Sequence, residues 1–311
     1  ADTLHNMAFV YQKQGYHSES LRLYKRSRCI RECQCGKDSL QVASSLENMA
    51  IVYQEMGVLD RALKLYTRAL SIFKAKSGEH SAEVASVLLG IGNIHALKCE
   101  LPKALDLYEQ SRNIRELRFG ADSHKVADVL SNMGRVHKDL GAHDRALTLY
   151  KESLAIKKER FGEDSPQVAS SFNELAILYQ LIGRFDRASD LCWRSLSIVR
   201  ECFGQHSRQF ALRLQNVSSL HQDKGDYDTA LQLCEESLTI TEGIFGKSSH
   251  QAAELQHNLA DIYTMKGDHT RALELYKGVL SIMQQRFGTD SHQVASALNN
   301  IALVHQETGQ H

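Results

Sequence analysis

The 311-residue chain has two prolines, one tryptophan and no net charge, with 37 Lys and Arg residues against 37 Asp and Glu. With Pro102 and Pro166 alone interrupting it, a disordered Pro-rich tract is excluded, and the balanced charge excludes a basic nucleic-acid-binding domain. Long hydrophobic runs are also missing. The most apolar stretch, Val84 to Leu97, is short and carries Ser86, Asn93 and His95, so no membrane insertion is expected, nor a secretory leader ahead of it. The seven cysteines are odd in number and follow no framework, which points to a reducing, cytoplasmic setting. Cys29, Cys33 and Cys35 cluster without a fourth ligand at metal spacing, so no metal is expected. No Ser/His/Asp, Cys/His or paired-carboxylate arrangement recurs, and Gly90-Ile91-Gly92 lies inside a helical pattern with no preceding strand. The chain is therefore expected to be no enzyme and to hold no cofactor.

What is present is a ruler. Gly15, Gly57, Gly141, Gly183, Gly225, Gly267 and Gly309 share a 42-residue period, broken only at Cys99. A second, unbroken ruler runs through Gly36, Gly78, Gly120, Gly162, Gly204, Gly246 and Gly288. Between the marks apolar residues recur three and four apart, the helical period. In the fourth copy Val126, Leu130, Met133, Val136 and His137 line one side of a first helix, and Ala146, Leu149, Tyr150, Ser153 and Ile156 one side of a second. Ser123, Ser165, Ser207 and Ser291 follow the second ruler as N-caps, with Pro166 at a first helical position. The second helix is expected to open three residues past the first glycine, at Ser18, Asp60, Asp144, Asp186, Asp228 or Thr270, with Pro102 in that slot in copy three. Helices of about 17 residues, roughly 25 Å long, result. The expectation is one all-α solenoid domain over residues 1–311, seven hairpins (1–36, 37–78, 79–120, 121–162, 163–204, 205–246 and 247–288) and a terminal helix, 289–311. Without capping repeats it reads as a fragment whose exposed ends allow end-to-end self-association.

The run Asn48 to Gly57, followed by Arg61-Ala62-Leu63, Leu65-Tyr66 and Ala69-Leu70, resembles the tetratricopeptide motif. The 42-residue length and the connector Phe161 to Ala169 resemble the long variant of kinesin light chains and nephrocystin-3-type proteins. The resemblance implies a right-handed superhelix whose first helices line a concave groove, and a protein-interaction module that takes a peptide of a partner such as a motor cargo adaptor. Nine residues before each first-ruler mark stand Asn6, Asn48, Asn132, Asn216, Asn258 and Asn300; Gly90 and Glu174 are exceptions, with Asn173 one step earlier. A carboxamide donates and accepts, so a row of them suits the backbone of an extended peptide of any sequence. The matching asparagines of the light-chain family grip cargo, which carries over as an implication; residues inherited by duplication are the other reading. The same stripe bears Asn93, Arg135 and Lys138, suited to an acidic ligand, but Lys13, Glu55, Asp139, Asp223, Asp261 and Glu307 mix its signs, so cargo charge stays open. A chaperone-tail clamp needs Lys four residues before Asn, and Leu89 precedes Asn93 there.

His95, His137, His221 and His305 stand where other copies have Tyr, and are expected to be packed with a polar tip. Arg22, Lys25, Arg26, Arg28 and Arg31 are expected on a solvated second-helix face, with a site for an acidic partner or anionic surface as the other reading, and Trp193 between neighbouring copies. The alternative function is a scaffold or sensor array of a larger protein, packed on a neighbouring domain.

Overall fold

A computed structural model of the chain describes residues 1–309. Among them are fifteen α-helices and no strand. The first helices are α1 (Asp2–Lys13), α3 (Leu40–Glu55), α5 (Ala82–Leu97), α7 (His124–Asp139), α9 (Pro166–Leu181), α11 (Arg208–Asp223), α13 (His250–Lys266) and α15 (His292–Glu307). The second helices are α2 (His17–Cys35), α4 (Leu59–Ser77), α6 (Leu101–Phe119), α8 (His143–Phe161), α10 (Phe185–Phe203), α12 (Tyr227–Phe245) and α14 (His269–Phe287). Second helices run 19 residues and first helices from α3 onward 16 or 17, against an expectation of about 17 for both.

Local chemistry sets both ends. Ser39, Ser81, Ser165, Ser207, Ser249 and Ser291 each accept the amide three residues on, and Ser123 accepts that of Lys125. Second helices begin one residue earlier than expected, two beyond the glycine. Asp226 and Asp268 cap α12 and α14, and the residues read as starts, such as Asp60 and Asp186, lie in the first turn instead. The first-ruler glycines take positive φ, from 69° at Gly309 to 86° at Gly267, and Cys99 is forced to 58° in the same bend. A left-handed L residue costs about 1–2 kcal/mol. Cys99→Gly is therefore expected to stabilise the protein by about 1 kcal/mol, read from urea unfolding midpoints.

The packing forms two compact units, residues 1–160 and 161–311. In the first, Tyr24, Leu46, Phe73 and Ile94 lie in one core and Tyr108, Leu130 and Leu149 in another. In the second, Leu255, Ile262 and Tyr276 pack together, and Ala253, Val279, Met283 and Val294 form a smaller cluster. Buried serines tie hairpins internally: Ser111, Ser153, Ser195 and Ser237 donate to the carbonyls of Ala85, Ala127, Ala169 and Ala211, each 26 residues back. These hydroxyls are satisfied without water, so the small residue lets the helices close and still makes its bond.

Candidate interaction face

Each first helix buries one side against its second helix; of the asparagine stripe Asn48, Asn132, Asn216, Asn258 and Asn300 are half-buried and Asn173 is buried. In the first unit Asn6 is exposed. The Asn48 amide meets His5 Nε2 at 2.8 Å, linking α3 to α1, and Gln12 Nε2 donates to Glu55 Oε1 at 2.9 Å across the same pair. Both contacts span 43 residues, one more than the repeat, because facing residues of neighbouring first helices are offset by one. Asn132 would need a polar partner at position 89, where Leu89 stands. It turns instead to its own helix, donating to the Asp128 carbonyl and accepting from Arg135 at 3.0 Å. The Tyr108 hydroxyl donates to Asn93 Oδ1 at 2.7 Å and lies beside Arg135. Asn93 and Arg135 thus meet at one phenol, and Arg135 joins them to Asn132. Lys138 lies 3.4 Å from its neighbour Asp139, which offsets its charge.

In copy three the space that a side chain would need is taken by a ring. A Cβ at Gly90 would lie 2.5 Å from Cζ of Tyr66, whose ring presses on α5. Next to it Glu47 accepts from Ser86 Oγ at 2.6 Å, and burial pushes its carboxyl above the usual range.

The second unit repeats the offset contacts. Asn216 Nδ2 donates to Asn173 Oδ1 at 2.6 Å and the Asn300 amide meets His257 Nε2 at 3.1 Å. Gln180 donates to Asp223 at 2.7 Å, and Gln222 Nε2 to the Met265 sulfur. Between these rungs Ile177, Leu181, Leu212, Met265 and Leu303 are exposed. Each lies three, four or seven residues from the asparagine position of its helix, hence on the same face. Neither the glutamine rungs nor these apolar residues were read from the sequence; for the asparagine contacts the polar residue one step before the asparagine of the preceding copy, as at His5 and His257, was the available signal. Asn258 lines a cavity of about 410 Å³ between α13, α14 and α15, with Gln215 of α11 also in its lining.

The remaining expectations fare unevenly. His95 and His221 are packed with a polar tip, their Nδ1 atoms 3.0 and 2.9 Å from Glu100 and Asp226. His137 is held below the ordinary value by burial, then by Arg145. Trp193 only partly fulfils its packing role: its ring meets His221 edge-on at 6.5 Å across copies yet remains 44% exposed. Arg31 corrects the reading of a solvated basic run. While Arg22, Lys25 and Arg26 are exposed, Arg31 is 9% exposed, its guanidinium donating to Asp2 (2.8 Å), the Gln41 carbonyl (3.0 Å) and Ser45 (2.8 Å). It also lies 3.2 Å from His5 Nδ1. Composition cannot tell which turn of a basic helix faces inward. Cys192 and Cys234 replace the core tyrosine of other copies, and burial pushes their thiols up to about 11 and about 12, away from reactivity.

Stacked hairpins joined by polar rungs define an all-α repeat protein. A tetratricopeptide repeat profile matches residues 1–75, 83–159, 126–201, 210–285 and 251–311, and the chain belongs to that family. Among solved structures it is similar to BtubC (BKLC) from P. vanneervenii, at 22% identity over 74% of this chain and 92% of that one, with a TM-score of 0.61. It is also similar to kinesin light chain TPR-like repeats from Podosopora anserina, at 19% identity over 67% and 97% with a TM-score of 0.57. A Rap protein complexed with competence and sporulation factor matches at 16% identity over 94% and 75%, TM-score 0.66. No curated protein matches the chain. These identities establish the shared fold.

Proposed function

We propose that the chain is a non-enzymatic protein-interaction module whose first-helix face, the concave groove of the family, holds an extended segment of a partner protein in a cytoplasmic, adaptor-like role resembling that of kinesin light chains. The observation that carries this is the interleaving, in the second unit, of polar rungs with exposed Ile177, Leu181, Leu212, Met265 and Leu303. Amides satisfy a peptide backbone while apolar residues between them take alternate side chains. The rung bonds leave each asparagine with hydrogen-bonding capacity unspent, since one amide offers two donors and two lone pairs. Peptides selected on the protein from a random display library are the probe. Asn132→Ala, Asn216→Ala and Asn258→Ala together are expected to weaken them about 100-fold, at roughly 1 kcal/mol per lost bond; unchanged affinity sinks the proposal.

Trp193, Ile244 and Leu117, exposed on second helices, favour a second reading in which the array packs on a neighbouring domain. Trp193→Ala and Ile244→Ala would then abolish association while the asparagine variants leave it intact.

A further inference from the structure

The cavity beside Asn258 corresponds, position for position, to a space that the first unit fills with its own cation. In copy one Arg31 reaches between α1 and α3 and binds Asp2, the Gln41 carbonyl and Ser45, with His5 beside it. Arg115 repeats the arrangement in copy three, donating to the Lys125 carbonyl at 2.6 Å, and in copy four the Lys157 ammonium donates to Ser131 at 3.2 Å, with Asp128 at 3.9 Å. A step of 252 residues, six repeats, converts Asp2, His5, Arg31 and Gln41 into Glu254, His257, Met283 and Gln293. Two of the three acceptors of Arg31 persist, as Glu254 and the backbone carbonyl of Gln293; Ser45 becomes Ala297, and the cation is gone. Met283 ends at the cavity wall, leaving about 410 Å³ whose lining includes Glu254, His257, His292 and Gln293 and no Lys or Arg. That volume falls within the range of ligand pockets. His257 is engaged by Asp261 at 3.6 Å and by the Asn300 amide, and Glu254 pairs with His250, at 3.3 Å, on its own helix.

We infer that this cavity receives an arginine side chain of the partner peptide, in the place that Arg31 occupies in copy one. A planar guanidinium can reach a carboxylate, a helix-start carbonyl and a flanking imidazole together, as Arg31 does, and its charge is met by Glu254. The inference rests on the first-helix face being the peptide receptor, because Gln215 and Asn258 of that face are part of the cavity lining.

The test is methyl NMR on protein labelled at its methionines, with acetyl-Gly-Arg-Gly-amide as probe and its neutral citrulline isostere as control. The Met283 methyl is expected to shift saturably with the arginine peptide. Citrulline, or Glu254→Gln on the surface, is expected to weaken binding about tenfold. Met283→Arg refills the cavity and is expected to abolish the response, read at Met265 on the same face; its fold is checked by its unfolding midpoint. Equal responses to arginine and citrulline, or no shift at Met283, overturn the inference. Failure of the groove itself is distinguishable: display-selected peptides then bind away from the first helices whatever Met283 reports. Selected peptides that bind the groove without a basic residue leave the groove standing and remove the arginine.

Discussion

Gly90→Asn, the substitution that completes the asparagine row, is expected to destabilise the first unit by about 3 kcal/mol rather than improve it. The new Cβ would lie 2.5 Å from Cζ, 2.7 Å from Cε1 and 2.8 Å from Oη of Tyr66, a ring only 3% exposed with its hydroxyl directed at Gln54. Neither side yields cheaply, since the glycine is mid-helix and the ring is walled by the core. Gly243→Ala is the control: nothing lies within 4 Å of its Cβ, so it is expected to stabilise by about 1 kcal/mol through helix propensity alone. Tyr66→Cys installs the residue found at Cys192 and Cys234, and combined with Gly90→Asn it is expected to cost at least ~1 kcal/mol less than the two single changes added. Additive losses by urea denaturation would show that the ring does not explain the missing asparagine.

Arg31→Met is expected to cost about 3 kcal/mol. Three or four charge-assisted bonds are lost and the buried Ser45 hydroxyl loses the cation it accepts from, whereas the Gln41 carbonyl keeps the Ser45 hydroxyl as donor and the exposed Asp2 is left solvated, which keeps the loss at the lower end for broken buried ion pairs. A second readout separates this from simple loss of volume. Burial first, and Arg31 second, hold the His5 pKa below its ordinary 6.5. A base depressed in the folded state contributes stability above the unfolded value, and that contribution falls away as pH drops from about 6.5 through the lower folded value. Without Arg31 the nearby Asp2, which raises the His5 pKa, is less opposed. The variant is expected to lose less stability than wild type between pH 7 and pH 5, and an unchanged slope would mean that Arg31 does not act on His5.

The hairpins and first-helix caps were legible because they rest on local chemistry: a serine that meets its own helix start, a glycine that tolerates positive φ. Even Cys99 could be found as a broken mark, although its strain could not. The asparagine stripe was legible as a face and illegible as a set of bonds. Its partners lie 43 residues away, an offset produced by packing of neighbouring first helices, and Leu89 or His5 decides whether a given asparagine bonds across or turns back on its own helix. Arg31 and Met283 show the same limit at the cation position. Both sit on second helices at equivalent places, yet one fills its space and the other leaves it open, a difference of side-chain reach that periodicity does not encode.

The central claim, that the first-helix face receives the partner, is tested most directly by site-specific photocrosslinking to display-selected peptides. A benzophenone side chain at Leu212, on the first-helix face, is compared with one at Ile244, on a second helix. The account predicts crosslinked peptide from position 212 and none from position 244; crosslinking from 244 alone would contradict it.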